Sequence, residues 1–164
     1  MLLATLIALS LPQAAAASPA CPATPVDLPR GMEQWRRPTA ITAAATAAKP
    51  VLLTSGLAVR ATLLPVSRVT FAAPPAKPGA ATSHGGLFAF DVARAGRYRV
   101  ALGSAAWIDV LRGTTPVASA THGHGPSCST IRKMVDFDLK PGRHLLQIAG
   151  SEATVVTLMV TPVD

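Results

Sequence analysis

The stretch "LFAFDVARAGRYRVAL", residues 87–102, decides the fold. Phe88, Phe90 and Val92 fall on one side of an extended chain, with Ala89 and Asp91 on the other, the period-two pattern of a strand packed on one face. Ala95-Gly96 then turns the chain, and Tyr98, Val100 and Leu102 repeat the alternation with Arg97 and Arg99 on the solvated side.

Working outward, the same rhythm recurs in "LAVRATLL" (57–64), "VSRVTFA" (66–72), "AWIDVLRG" (106–113), "TPVASAT" (115–121), "KMVDFDL" (133–139), "RHLLQIA" (143–149) and "TVVTLMV" (154–160). The connectors "RGTTP", "KPGR" and "GSE" carry turn chemistry, and helical periodicity is almost absent. About eight or nine short strands with tight links specify an all-β fold, an antiparallel, jelly-roll-like β-sandwich. Its expected core is Phe88, Phe90, Tyr98, Val100, Leu102, Val110, Val135, Phe137, Leu145, Ile148, Val156 and Leu158. One long loop, "APPAKPGAATSHGG" (73–86), interrupts the series, a length that is often functional or mobile.

Upstream of the sandwich, expected over 56–164, residues 21–55 read as an extended Pro/Ala-rich lead-in with a single helical turn at "GMEQW" (31–35) that packs Trp35 onto the body. Residues 1–20 have the layout of a secretory signal peptide: an apolar run from Leu2 to Leu11, then small residues that allow cleavage after Ala17 or Ala20. That run is about half of the ~20 residues a spanning helix needs, so the mature chain is expected to be periplasmic or secreted, with no transmembrane segment. Ser18 and Pro19 stand where a lipid-anchoring signal at Cys21 would need an apolar and a small residue.

The chain carries fifteen Lys and Arg against eight Asp and Glu, a net +7, and the basic residues are scattered rather than gathered in a tract. No basic motif with interleaved aromatics is present, so nucleic acid is not an expected partner. An anionic glycan or an envelope protein suits the charge better. The two cysteines, Cys21 and Cys128, read as one disulfide in an oxidising compartment. Such a bridge closes a loop of roughly a hundred residues, worth about 4 to 5 kcal/mol of unfolded-chain entropy, and withdraws Cys128 from metal binding.

The segment "THGHGPSC" (121–128) carries the most suggestive chemistry. In an extended chain His122 and His124 point to one side, so two imidazoles can share an ion, with His84 or His144 as a third ligand and Fe, Zn or Cu as the metal. Gly123, Gly125 and Pro126 favour instead an irregular turn in which the imidazoles are hydrogen-bonding parts. Arg132 and Lys133, brought beside Asp136 or Asp109, form a candidate recognition surface. Asp136 and Asp138 alternate with Val135, Phe137 and Leu139, which places both carboxylates on the solvated face. There is no Gly-x-Ser-x-Gly elbow and no phosphate-cradling glycine loop.

Two resemblances bear on this reading. "FAFDVARAGRYRVAL" and "LKPGRHLLQIAG" are similar to the turn-and-aromatic rhythm of bacterial pre-peptidase C-terminal domains, which implies a secreted jelly roll over about the last eighty residues. "AWIDV" (106–110), "HGHGPSC" (122–128) and "IRKMVDFDL" (131–139) resemble a set of small exported proteobacterial proteins often labelled homogentisate 1,2-dioxygenase. That second resemblance implies an iron-dependent aromatic-ring dioxygenase, a cupin chemistry in which Fe(II) is held by two histidines and a carboxylate. His122 and His124 match the His-x-His, and His144 in "PGRH" stands where the second cupin motif offers a ligand. Cys128 and Ser129 stand where the Glu ligand follows in a cupin, so the carboxylate would have to arrive through space from Asp109 or Asp136. Two functions follow from the sequence: a non-enzymatic exported binding or accessory protein, which the residues favour, and a metal-dependent dioxygenase.

Overall fold

The computed structural model describes residues 21–163, so the expected signal peptide lies outside the described residues. It contains twelve strands: β1 (Thr39–Thr42), β2 (Val51–Leu53), β3 (Ala58–Thr62), β4 (Leu64–Pro65), β5 (His84–Val92), β6 (Gly96–Leu102), β7 (Trp107–Arg112), β8 (Thr115–Pro116), β9 (Ser119–Gly123), β10 (Lys133–Leu139), β11 (Gly142–Ser151) and β12 (Val155–Pro162). One sheet has the order β1-β3-β12-β6-β10-β9. The other runs β2-β5-β11-β7-β8, with β4 added beside β5.

The chain alternates between the sheets as it advances. Counting β3, β5, β6, β7, β8 with β9, β10, β11 and β12 as eight successive strands, the first sheet holds the first, eighth, third and sixth in that order. The second holds the second, seventh, fourth and fifth, and this winding is that of a jelly roll. Every pairing among these strands is antiparallel; β1 on β3 and β2 on β5 are parallel additions. Among the described residues no helix is long and apolar enough to cross a membrane.

The inner faces meet in one core that includes Phe88, Phe90, Tyr98, Val100, Leu102, Val110, Val135, Phe137, Ile148, Val156 and Leu158, as the alternation implies. Leu145 departs from expectation: it is only half-buried on the outer face, and His144, Leu146 and Ile148 point inward instead. "HLL" offers apolar side chains at both parities, and pairing with β5, which sets His144 against Phe90, fixes the phase.

Four other expectations need correction. The strand count is twelve rather than eight or nine: the lead-in contributes β1 and β2, one to each sheet, Leu64–Pro65 pairs separately as β4, and residues 115–123 divide into β8 and β9. "VSRVTFA" is not a strand: past Pro65 the chain makes a 3-10 turn, Val66–Arg68, with the Val66 amide donating to the Ser83 carbonyl. "TPVASAT" is not one strand but two, β8 on β7 and β9 on β10, so Val117 and Ala118 cross between the sheets. Finally, His84, Gly85 and Gly86 belong to β5 rather than to the long loop. Gly86 faces Ala43 and Gly85 faces the Ile148 carbonyl so closely that neither has room for a Cβ.

The outer faces are covered by the irregular segments. The turn Glu33–Arg36 buries Trp35 among Met32, Ala58, Ala101, Ile131 and Met159, and its indole N–H donates to the Thr130 hydroxyl at 3.0 Å. Cys21 and Cys128 are disulfide-bonded with α-carbons 5.6 Å apart, which ties the start of the described chain to the turn after β9. On the second sheet, buried Gln147 accepts from the Ala72 and Ala73 amides and donates to the Ala73 carbonyl, and so fastens the long loop down.

Candidate functional site

β7 is paired by β8 only at Leu111 and Arg112, with the Val117 amide donating to the Val110 carbonyl, so its Trp107–Asp109 portion runs as the rim of the second sheet. β9, exposed along its length, is the rim of the first. Between these rims opens a cleft of about 400 Å³. Its apolar floor reaches the core through Ile108, Val135 and Phe137, and its mouth carries Lys77, Trp107, Asp109, His122 and Lys133.

Local sequence explains each placement. In "AWIDV" the alternation sends Ile108 and Val110 into the core, so Trp107 and Asp109 share the opposite face, where the indole N–H donates to Asp109 Oδ1 at 2.8 Å. Lys133 shares its side of β10 with buried Val135 and reaches across the gap between the sheets, donating to the Ala106 carbonyl at 2.9 Å. Its Nζ lies 4.8 Å from the centre of the Trp107 ring. Lys77, carried by the fastened loop, lies at the same 4.8 Å from that ring. Cations over an indole face are attracted by its quadrupole.

Burial pushes the Lys133 ammonium below the ordinary lysine value, the Lys77 charge adds to this, and Asp109 opposes it. Two ammonium groups therefore converge on one indole, next to a single carboxylate whose Oδ2 is buried and accepts no hydrogen bond from the described residues. An anion would relieve the repulsion between the lysines, and a hydroxyl would satisfy Asp109 Oδ2.

The sequence candidates divide. His122 pairs with Val135 across β9 and β10, lines the cleft, and joins Lys133 and Asp109 there. Arg132 and His124 line a smaller adjoining hollow of about 240 Å³, together with His122 and Lys133. Asp136 is a correction: it is buried rather than solvated, on the other face of β10, where Arg99 grips both its oxygens at 2.7 and 2.8 Å and the Thr121 hydroxyl donates to Oδ2 at 3.1 Å. Asp138 does stand in solvent, paired with Arg97.

His144 is buried at 1% exposure, stacked on Phe90 with ring centroids 5.8 Å apart, in β11 of the second sheet. His84 is half-buried on β5, also in the second sheet and next to β4, with its Nδ1 buried and unpartnered. Cys128 is held in the disulfide. Among the described residues no three His, Cys, Asp or Glu side chains come together as an ion would require, so the donor set does not fit the ferrous centre that the dioxygenase resemblance implies. Lys77 and Trp107 are the site residues that sequence reasoning missed. The AWIDV strand carried the second, but only the fold brings the first over it.

Ser119, His122 and Asp109 share the cleft, yet no hydrogen bond links them, and Asp109 Oδ1 is occupied by Trp107. No protein-family model matches the chain, and neither a curated protein nor a solved structure is significantly similar to it.

Proposed function

We propose that this is a non-enzymatic, periplasmic or secreted binding protein whose ligand enters the rim cleft, and that the ligand is a sugar acid. The observation that carries the reading is the pair of lysines, each 4.8 Å from the Trp107 ring centre, beside the unpartnered Asp109 oxygen. A uronic acid offers what each group lacks: a carboxylate for Lys77 and Lys133, hydroxyl donors for Asp109 Oδ2, and a ring for the apolar wall of Val117 and Ile108. Sulfate, which has no proton to donate, satisfies the lysines but leaves Asp109 unanswered, and phosphate offers no ring to the apolar wall. Export agrees with the Cys21–Cys128 disulfide, which fits an oxidising compartment.

Titration with galacturonate, followed by amide chemical shifts, tests this. Shifts are expected along β7, β9 and the start of β10, with none from galactose, and Lys133→Met should weaken binding about tenfold, as expected for one hydrogen bond to a charged group. Displacement by sulfate at equal concentration would reduce the site to a bare anion site. Indifference of these amides to every acid sugar would end the proposal.

A further inference from the structure

The cleft does not stop at His122. The adjoining hollow shares His122 and Lys133 with it and adds Ala105, Ala106, Gly123, His124 and Arg132. Every titratable side chain in this hollow is basic, and across both cavities Asp109 is the single carboxylate. The ion pairs of the described residues engage Arg97, Arg99 and Arg143, which leaves Arg132, Lys133 and Lys77 without carboxylate partners.

His124 is already oriented. Its Nδ1 lies 2.7 Å from the Arg132 carbonyl, and because a carbonyl only accepts, Nδ1 carries the proton and Nε2 is left to accept from a sugar hydroxyl, while the Arg132 guanidinium meets the acid group. The contact also ties the turn after β9 to the residue preceding β10, so His124 and the Arg132 backbone hold a fixed spacing. His122 and His124 are two residues apart, about 7 Å of extended chain, so the basic groups form a row along the rim rather than one point of charge.

We propose that this hollow is a second acid subsite and that the natural ligand is an oligouronate of at least two acidic sugar units, one over Trp107 and the next between His124 and Arg132. The inference rests on the sugar-acid reading of the cleft and extends it to a chain. The row suits a linear polyanion of regularly spaced charges lying along β9. Trp107 is the one accessible Phe, Tyr or Trp ring of the two cavities, since Phe137 in the floor is buried at 2% exposure, and a single ring does not suit successive nucleic-acid bases, which stack on several.

Calorimetry with mono-, di- and trigalacturonate tests the proposal on the whole disulfide-bonded protein. The dimer is expected to bind about tenfold or more tighter than the monomer, since its second carboxylate gains charge-assisted hydrogen bonds. His124→Asn combined with Arg132→Met should remove that gain and leave monomer binding unchanged. Both side chains are exposed, so the fold should tolerate the change. Arg132→Met alone, which keeps the His124 contact to the residue 132 carbonyl, should lose part of the gain. Equal affinity for monomer and dimer overturns the second subsite while sparing the cleft. Failure of all three sugars to bind overturns both.

Discussion

Gln147 holds Ala73 from both sides of its peptide: the side-chain carbonyl accepts from the Ala73 amide at 3.2 Å, and the side-chain amide donates to the Ala73 carbonyl at 3.1 Å. The Ala72 amide adds a third bond at 2.6 Å. Gln147 stands opposite Asp109 in the pairing of β11 with β7, so the fastener of the loop and the carboxylate at the cleft mouth share one register. Lys77 reaches Trp107 because this loop is pinned. A second pin lies at Gly79, in the left-handed region at φ +80° and packed so closely on Gly150 that a Cβ would collide with its backbone.

Gln147→Ala should therefore act on the cleft from behind. It strands two half-buried amides, costs about 1–3 kcal/mol, and frees the loop. Faster hydrogen exchange at Ala72 and Ala73, with weaker galacturonate binding, is the expected pair of results. Unchanged exchange would show that Gln147 does not hold the loop.

The disulfide sets a second expectation. The bond joins residues 107 apart, and opening it restores roughly 4–5 kcal/mol of unfolded-chain entropy. The Cys21→Ser, Cys128→Ser double variant should unfold at markedly lower denaturant. Trp35, bonded to Thr130 two residues beyond Cys128, should report the loosening by a red-shifted emission. An unaltered midpoint would mean that the lead-in is held by the Trp35 cluster alone.

How far these features can be read from the sequence depends on the range of the interactions that fix them. Phe88, Phe90, Tyr98, Val100 and Phe137 are legible because strict alternation leaves one answer. "RHLLQI" is not, since either parity presents an aliphatic residue and a polar one, and the choice falls to the neighbouring strand. His84-Gly85-Gly86 reads as loop because glycine usually marks turns; here it marks close approach of Ala43 and Ile148, which only the folded neighbours show. Likewise Lys133, His122 and Asp109 were identifiable as polar residues near a suggestive motif. Lys77 was not, because its reach depends on Gln147, seventy residues downstream in sequence.

Asp136 tests the misread face of β10. Burial alone would raise its carboxyl, but the two Arg99 hydrogen bonds, the Arg99 charge and the Thr121 hydroxyl outweigh that and hold it below its ordinary value of 3.8. Its folded value is depressed, so the pair contributes stability above the unfolded-state value, and that contribution is lost as pH falls through the lowered one. Asp136→Ala leaves Arg99 half-buried and unpaired. The cost should be about 2–3 kcal/mol at pH 7, under the ~3–5 of a fully enclosed pair because Arg99 keeps some solvent contact. Asp138→Ala, at the exposed pair with Arg97, should leave the midpoint nearly unchanged. Equal effects at the two positions would show that burial does not distinguish them.

His144 carries the last prediction, at the other end of the pH scale. Its imidazole packs on Phe90 inside the sandwich, and its Nδ1 lies 3.1 Å from the Gly142 carbonyl. Burial lowers its proton affinity, the Gly142 contact opposes this, and the Arg112 charge adds to the lowering, so the folded value lies below the ordinary 6.5. Between those two values the unfolded chain binds a proton that the folded one refuses, and stability falls as pH drops from neutrality through the ordinary histidine range. Replacing the ring by an apolar one of similar shape, His144→Phe, keeps the stacking and removes the titration. The wild-type melting temperature should decline from pH 7.5 to 5.5, and the variant's decline should be visibly shallower over the same interval. This window lies above the acid range in which Asp136 acts, so the two contributions separate on one pH series. Parallel curves for the two proteins would mean that His144 takes up its proton as readily inside the sandwich as outside it.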